Sequence, residues 1–406
     1  MPRTTAVAVG DGACTILRCE CMPLRCGHGV AVLDCGVWQG SAKTAAETLI
    51  AALGSDIERL DALIVSHFDA DHWEGLKYLA HALPDPGSKR PMTLYYAGLP
   101  FGAEELPDVG VAQLLTLQGS GVRAVELQQA LRVARPELRV KELFRHAEVQ
   151  VANRKFGIFW PPECLDLATG ASITASIEET WSVAEALVEE GHPELFNNLR
   201  AAYGSSFAGE ELLQRRDVSR RPSMPEGVSD ATSQERPHLG QQHQQGQGSE
   251  RWEETNQPGG DGRSAEDQNE APEDDMFGLH GIAAHLPMQD VSADLKKRFR
   301  KLCAATGRAN NDLSLIMGER NSHFAAFGDA HPDILRAALR AMNTEYEVVL
   351  APHHGTYDLP DAFPSAGVCI SQAGSRHYAR WDKHVHSHGQ ERSCVSTYRI
   401  GTLSIW

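Results

Sequence analysis

Two histidines and two aspartates fall within six residues of the segment Leu63–Leu76, LIVSHFDADHWEGL. His67 and Asp69 lie two apart, on one side of an extended segment, whereas Asp71 and His72 are adjacent and point differently at the start of a helix. That geometry suits two neighbouring metal ions. Imidazole and carboxylate are ligand types that Zn, Mn and Fe share, and paired catalytic ions sit about 3.5–4 Å apart. A single aspartate here would read as a helix N-cap, a task for one side chain. Four ligand-type residues in six exceed that need.

The elements around this block must position it. Ala62–Val65 is a short apolar run with β-branched residues and Trp73–Leu83 has helical spacing, so the polar residues occupy a strand-to-helix turn. Upstream, Thr5–Val9 and Thr15–Cys21 read as strands around Gly10-Asp11-Gly12, and the strand Gly29–Leu33 ends in Asp34-Cys35-Gly36. Ala42–Leu53 and Gln113–Ala134 read as helices, Met92–Tyr96 as a strand, and Glu148–Val151 with Lys155–Phe159 as a hairpin. Downstream, Leu313–Gly318 and His323–Phe327 pair and end in Gly328-Asp329, ahead of the helix Pro332–Met342. The strand Glu347–Ala351 runs into Pro352-His353-His354-Gly355. Val368–Ser371, a histidine-bearing loop over Gly374–His388 and strands within Val395–Trp406 close the chain. Such alternation predicts an α/β fold.

SHFDADH resembles the central motif of the metallo-β-lactamase superfamily, His-x-His-x-Asp-His, with Asp69 replacing the second histidine. That replacement is similar to the hydrolase domain of ComEC-type DNA-uptake proteins and their stand-alone relatives. APHHGT resembles the family's VPHHGS, FGIFWPP its VLWPP, and VGDGACTIL its VGQGDAILI, with Asp11 for Gln and Ala13 for Asp. The resemblance implies a four-layer αββα sandwich whose halves, residues 1–162 and 310–406, flank an insertion at 163–309. It implies His67, Asp69, Asp71, His72, Asp329 and His353 as metal ligands, with Asp329 bridging two divalent ions, Zn or Mn with Fe a third candidate. His354 would face the scissile group or hold its loop, and Asp34 would support the site through hydrogen bonds. Asp71, His354 and Asp34 are thus the candidate catalytic residues. The implied reaction is metal-assisted hydrolysis of a phosphodiester in DNA or a nucleotide. His384 and His386, in Lys383–His388, stand where relatives carry GHPH and are candidates for contacting substrate phosphate or an ion. A third-motif histidine has no recognisable context among His81, His146, His192, His280, His285 and His323. A hydrolase of another small ester or amide, and a metal-binding sensor or assembly component of a multi-protein bacterial system, are the alternatives.

The whole chain sets bounds on these readings. Its 406 residues, 42% hydrophobic and 7% aromatic, can bury a substantial core. No apolar run nears the roughly 18 residues that span a bilayer, and no basic region with an apolar core opens the chain, so the expectation is cytoplasmic, without a membrane. Nine cysteines without a secretory signal argue for reduced thiols, and Cys19, Cys21 and Cys26 read as ordinary small residues. A formal charge of −16 argues against a broad polyanion-binding surface, although bound cations would reverse the sign locally. Within the insertion, Ile177–Tyr203 reads as helix. The stretch from about 208 to 275 lacks core-forming residues and reads as a disordered linker able to recruit protein partners. A basic amphipathic helix at 291–305, with Lys296, Lys297, Arg298 and Arg300, reads as a solvated face or a polyanion contact.

Overall fold

The structure, a computed structural model, describes residues 2–19, 29–38, 40–83, 91–98, 120–165, 182, 186, 189–191, 292–384 and 393–406. All belong to one compact unit, Met1–Leu213 with Asp275–Trp406.

Among the described residues the strands form two seven-stranded sheets. The first runs β14 (Leu403–Ile405), β1 (Pro2–Ala6), β2 (Cys14–Cys19), β3 (Val30–Cys35), β4 (Leu60–Val65), β5 (Thr93–Ala97) and β6 (Arg139–Leu143). Neighbours are antiparallel from β14 to β3 and parallel from β3 to β6. The second runs β13 (Ser393–Ser396), β12 (Ser365–Ser371), β11 (Glu345–Leu350), β10 (Phe324–Ala326), β9 (Ile316–Glu319), β8 (Arg154–Trp160) and β7 (Glu148–Val151). Its β10 to β13 are parallel and its β7 to β10 antiparallel, so the two sheets repeat one plan.

Strand periodicity builds three apolar interfaces. In β4, Leu63 and Val65 face α1 (Ala42–Leu53) and α2 (Ala70–Ala82), packing with Leu49, Trp73 and Leu76; α3 (Ser120–Ala134) adds Leu127. The intervening Ala62 and Ile64 face the second sheet and meet Phe156, Met317, Phe324 and Val348. Ile316, Ala325 and Phe327 face the opposite way, toward α4 (Ala293–Asp312) and α5 (Pro332–Leu339), where Ala309, Ile334 and Leu335 are buried. The order helix, sheet, sheet, helix is the αββα sandwich that the family resemblance implies, where the strand and helix pattern by itself gives only α/β. Phe156 and Phe324 are fully buried at its centre, each contributing about 1.5–3 kcal/mol of burial. Two further helices, α6 (Ser375–His384) and α7 (Thr397–Ile400), flank β13.

A buried ion pair within the second sheet also anchors a tie to the first. Arg154 on β8 meets Glu319 on β9 through two bonds of 3.1 and 2.7 Å, and its third nitrogen donates to the Arg3 carbonyl and Thr4 Oγ1 on β1.

Three elements differ from expectation. β6 forms where no strand was anticipated, because its sequence, RVKEL, alternates too weakly in polarity on a largely exposed edge. The loop expected after Gly374 is the helix α6, capped by Asp11 from the β1–β2 turn, whose carboxylate accepts from the amides of Gly374, Arg376 and His377. Asp11 is thereby a cap. The basic helix begins at the Ser292 cap, whose hydroxyl accepts from Leu295 N, and continues through Asn310-Asn311, expected to open a strand, to Asp312. Most of Ile177–Tyr203, the 208–275 stretch, Cys21, Cys26 and His386 lie outside the described residues. Among the described residues no helix is long and apolar enough to cross a membrane.

Candidate metal centre

The functional side chains stand at the carboxyl ends of the parallel strands of both sheets, where open α/β sheets place their ligands. Asp34 is near the end of β3, His67 to His72 follow β4, Asp329 follows β10, His353 and His354 follow β11, and Gln372 follows β12. Close backbone approach brings these ends together. A Cβ on Gly36 would lie 2.2 Å from the Ala70 carbonyl oxygen and 2.5 Å from the His72 nitrogen, so the first turn of α2 can sit against the end of β3 only because residue 36 is glycine. Asp34, His353 and His354 hold left-handed backbone, with φ of 56°, 47° and 56°. This conformation costs a non-glycine residue about 1–2 kcal/mol. At the histidine pair, backbone bonds offset it: His353 N donates to the Gly328 carbonyl at 2.9 Å, Thr356 N and Oγ1 donate to the His353 carbonyl, and Ser371 Oγ donates to that of His354.

Neither key aspartate is a helix cap. Asp69 occupies the N-cap position of α2 without a capping side-chain bond, and its Oδ1 accepts from Asn310 Nδ2 at 2.6 Å instead. The N-cap of α5 is His331, which leaves the Asp329 carboxylate free to face the histidines.

Ring orientation is set from behind. Ser66 donates its amide and hydroxyl to the two Asp34 oxygens, each at 2.7 Å. His72 Nδ1 lies 3.0 Å from Asp34 Oδ2, and Ser66 Oγ lies 3.1 Å from the Nδ1 atoms of both His67 and His72. With the Ser66 proton committed to Asp34, both rings donate from Nδ1. His354 donates from Nδ1 to the Gln372 carbonyl at 2.7 Å, and His353 Nδ1 meets Thr356 Oγ1. In each ring Nε2 is therefore the nitrogen left for the interior of the cluster, aimed at Asp329: His72 Nε2 at 3.3 Å and those of His67, His353 and His354 at 3.8 Å from its oxygens. His354 Nε2 also lies 3.1 Å from Asp71 Oδ2, and His67 Nε2 lies 3.6 Å from Asp69 Oδ2.

Charge in this buried cluster is unbalanced. Burial resists ionisation of the Asp329 and Asp71 carboxyls, yet the neighbouring histidines hold both well below the usual range. Burial likewise opposes charge on His72 and His354, but Asp329 and the adjoining aspartates raise both. For His353 burial wins, reinforced by His354 against the pull of Asp329, and lowers it to about 4. His377, stacked on His354 at 4.4 Å, is lowered to about 3 by burial and then by His354.

Asp71, His72, Asp329 and His354 form a buried group that could hold a metal ion, their ligand atoms all within 4.8 Å of one another. Nε2 of His67 and Nε2 of His72 are buried without a hydrogen-bond partner, which protein interiors rarely leave. Lone-pair nitrogens and carboxylates without competing donors fit a divalent transition metal. Of the pair at 353–354, it is His354 that joins this group; His353 lies outside it, 18% exposed, with its ring stacked on Tyr357 at 4.0 Å. Asp69 lies at the rim, 22% exposed. Among described third-motif candidates, His81 ends α2, His146 sits in the β6–β7 turn, and His323 pairs with Glu347 at the far end of β10. Sequence reading gave no role to Ser66, Asn310, His331, Tyr357, Gln372 or His377; Ser66 and Asn310 lie within motifs it did single out.

The chain is therefore an α/β protein of two mixed sheets with a buried His/Asp metal-site candidate at their common edge. The family model described as the metallo-beta-lactamase superfamily matches residues 20–142 of the chain. No curated protein matches it. Among solved structures it is similar to the metallo-beta-lactamase fold protein YhfI from Bacillus subtilis, at 14% identity over 39% of this chain and 52% of that one, with a TM-score of 0.24. It is also similar to human tRNase Z, short form (ELAC1), at 19% identity over 34% and 45%, with a TM-score of 0.21. The match spans about half the length of each of these two chains.

Proposed function

We propose that this chain is a metal-dependent phosphodiesterase or nuclease working with two divalent ions, Zn or Mn. The observation that carries the reading is the convergence of histidine Nε2 atoms on Asp329 and Asp71, two of them buried without a hydrogen-bond partner. When bound, such ions polarise a phosphoryl oxygen and lower the pKa of water. His67, Asp69, Asp71, His72, Asp329 and His354 are the residues that would hold them, with His353 at the open side. Asp34, Ser66 and Gln372 fix the rings that present Nε2. The phosphodiester assignment is supported by the ComEC-like Asp69 and by APHHGT. Asp34, Asp69, Asp71 and Asp329 would repel a phosphate in the absence of cations, so substrate binding should itself require metal.

Elemental analysis together with turnover of DNA and bis(p-nitrophenyl) phosphate tests the reading. Metal-loaded protein should cleave both, and Asp71→Asn or Asp329→Asn should each lose at least about a hundredfold, with the double variant hardly worse. Fully loaded wild-type protein that leaves both substrates intact over a range of pH would overturn the phosphodiester assignment and leave the small ester or amide as substrate.

A further inference from the structure

Among the described residues of the centre, exposure is confined to one rim. Asp69 and His353 are its exposed members, at 22% and 18%, whereas the side chains of His67, Asp71, His72, Asp329 and His354 are 6% exposed or less. Both rim residues are bound to the C-terminal end of α4. Asn310 of α4 donates to Asp69. His353 stacks on Tyr357, Tyr357 is bonded to His331 Nε2 at 2.9 Å, and His331 Nδ1 meets Asp312, the last residue of α4, at 2.7 Å. The mouth of the centre therefore lies where α4 ends.

Along α4, Lys297, Lys301 and Arg308 are exposed, and no described residue forms an ion pair with them, whereas Arg298 is matched by Asp294 at 3.0 Å. At 100° per residue the three fall within about 40° of one another, in a stripe about 16 Å long. Arg308 stands at its lower end, close enough to Tyr357 to act on its hydroxyl, against the burial and the Asp329 charge that keep that group neutral. Complementing the helix dipole accounts for a cation near the C-terminus, but not for Lys297 and Lys301, which lie too far from it. On a chain of charge −16, a row of exposed cations ending at the mouth of a recessed site is a local feature.

On the phosphodiesterase reading above, on which this rests, we infer that α4 is the tract for a single-stranded polynucleotide, with Lys297, Lys301 and Arg308 holding successive phosphates and leading the strand into the centre. A single strand fits because the site is recessed. Duplex DNA, with a persistence length of about 50 nm, cannot bend one linkage into groups this deeply buried. An acidic protein would suit the charge but gives no reason for the stripe to end at the mouth.

The test uses full-length, metal-loaded protein and a fluorescein-labelled phosphorothioate thymidylate 20-mer, which resists cleavage, with binding read by anisotropy across salt concentrations. Reversing all three cations (Lys297→Glu, Lys301→Glu, Arg308→Glu) should weaken binding at least tenfold and flatten the log–log salt slope by about two, at about 0.7 per phosphate contact on a single strand. The milder Lys297→Gln/Lys301→Gln/Arg308→Gln variant should move both in the same direction. Turnover of a thymidylate 20-mer should fall at least tenfold more than turnover of bis(p-nitrophenyl) phosphate. Unchanged binding and slope in both variants would overturn the tract, while wild-type turnover of the small diester would keep the function intact. A wild-type protein inert toward the small diester, yet binding the 20-mer through these cations, would retain the tract and remove the phosphodiesterase reading alone.

Discussion

At the residue scale, the centre works through which nitrogen each histidine presents. Asp34, Ser66 and Gln372 take the Nδ1 protons, and the Nε2 atoms of His67 and His72, buried without a hydrogen-bond partner, are left for a cation in the space between them. Ser66→Ala should therefore lower metal affinity about 10–100-fold while leaving the fold intact; affinity equal to wild type in a chelator competition would show that Asp34 alone sets both rings. The raised values of His72 and His354 give a second prediction. In metal-free protein these groups stabilise the fold below about pH 6.5, their ordinary value, and that contribution is lost as pH rises through their higher folded values. Metal must displace the same protons, so its apparent affinity should rise about tenfold per pH unit for each proton released. Calorimetry in buffers of different ionisation enthalpy would count them, and an affinity flat from pH 6 to 8.5 would contradict the assignment. His67, Asp71 and His72 stood out in the sequence because ligand types at those spacings are rarely accidental, whereas Asp329 was singled out only through the family resemblance. The choice between His353 and His354 was not, since two adjacent left-handed residues point their rings by backbone angles that no spacing encodes.

At the element scale, the site depends on how closely strand ends approach α2. Gly36→Ala would drive a methyl into the Ala70 carbonyl and should cost about 1–3 kcal/mol in urea unfolding, with loss of metal binding exceeding the loss of stability. The Arg154–Glu319 pair acts at the same scale, between neighbouring strands of the second sheet, with Arg154 also reaching β1 of the first. Glu319→Ala should cost about 3–5 kcal/mol because it strands a buried guanidinium, while Arg154→Met with Glu319→Leu should cost less than either single truncation. A double variant as unstable as Glu319→Ala would mean that the bonds from Arg154 to β1 carry the effect. Elements with a strong apolar period were readable from the sequence: α1 spans Ala42–Leu53 as expected, and the β7–β8 and β9–β10 hairpins form where anticipated. β6 and α6 were not, because an exposed edge strand and a helix capped by a distant aspartate take their stability from contacts remote in sequence.

At the scale of the whole molecule, two sheets of one plan put the carboxyl ends of their parallel strands on a shared edge, so ligands distant in sequence, such as His72 and Asp329, meet 3.3 Å apart. That architecture was implied by the family resemblance of the motifs, the pattern of strands and helices giving only α/β, while the residues between the two halves lacked any such resemblance. Residues 215–274 are rich in Gln, Ser, Pro, Gly and Glu and nearly free of large apolar side chains. Such a composition cannot bury enough surface to offset the roughly 1–2 kcal/mol of backbone entropy lost per ordered residue. The described fold already closes its three apolar interfaces without them. Replacing 215–274 by a short Gly/Ser linker should therefore leave the melting temperature within a few degrees of wild type and the metal content unchanged. Any partner recruited through the segment should be lost at the same time. A large fall in melting temperature, measured by calorimetry on metal-loaded protein, would show that the segment contributes packed surface that its composition does not advertise. A fall in metal content at constant melting temperature would instead mean that it reaches the centre itself.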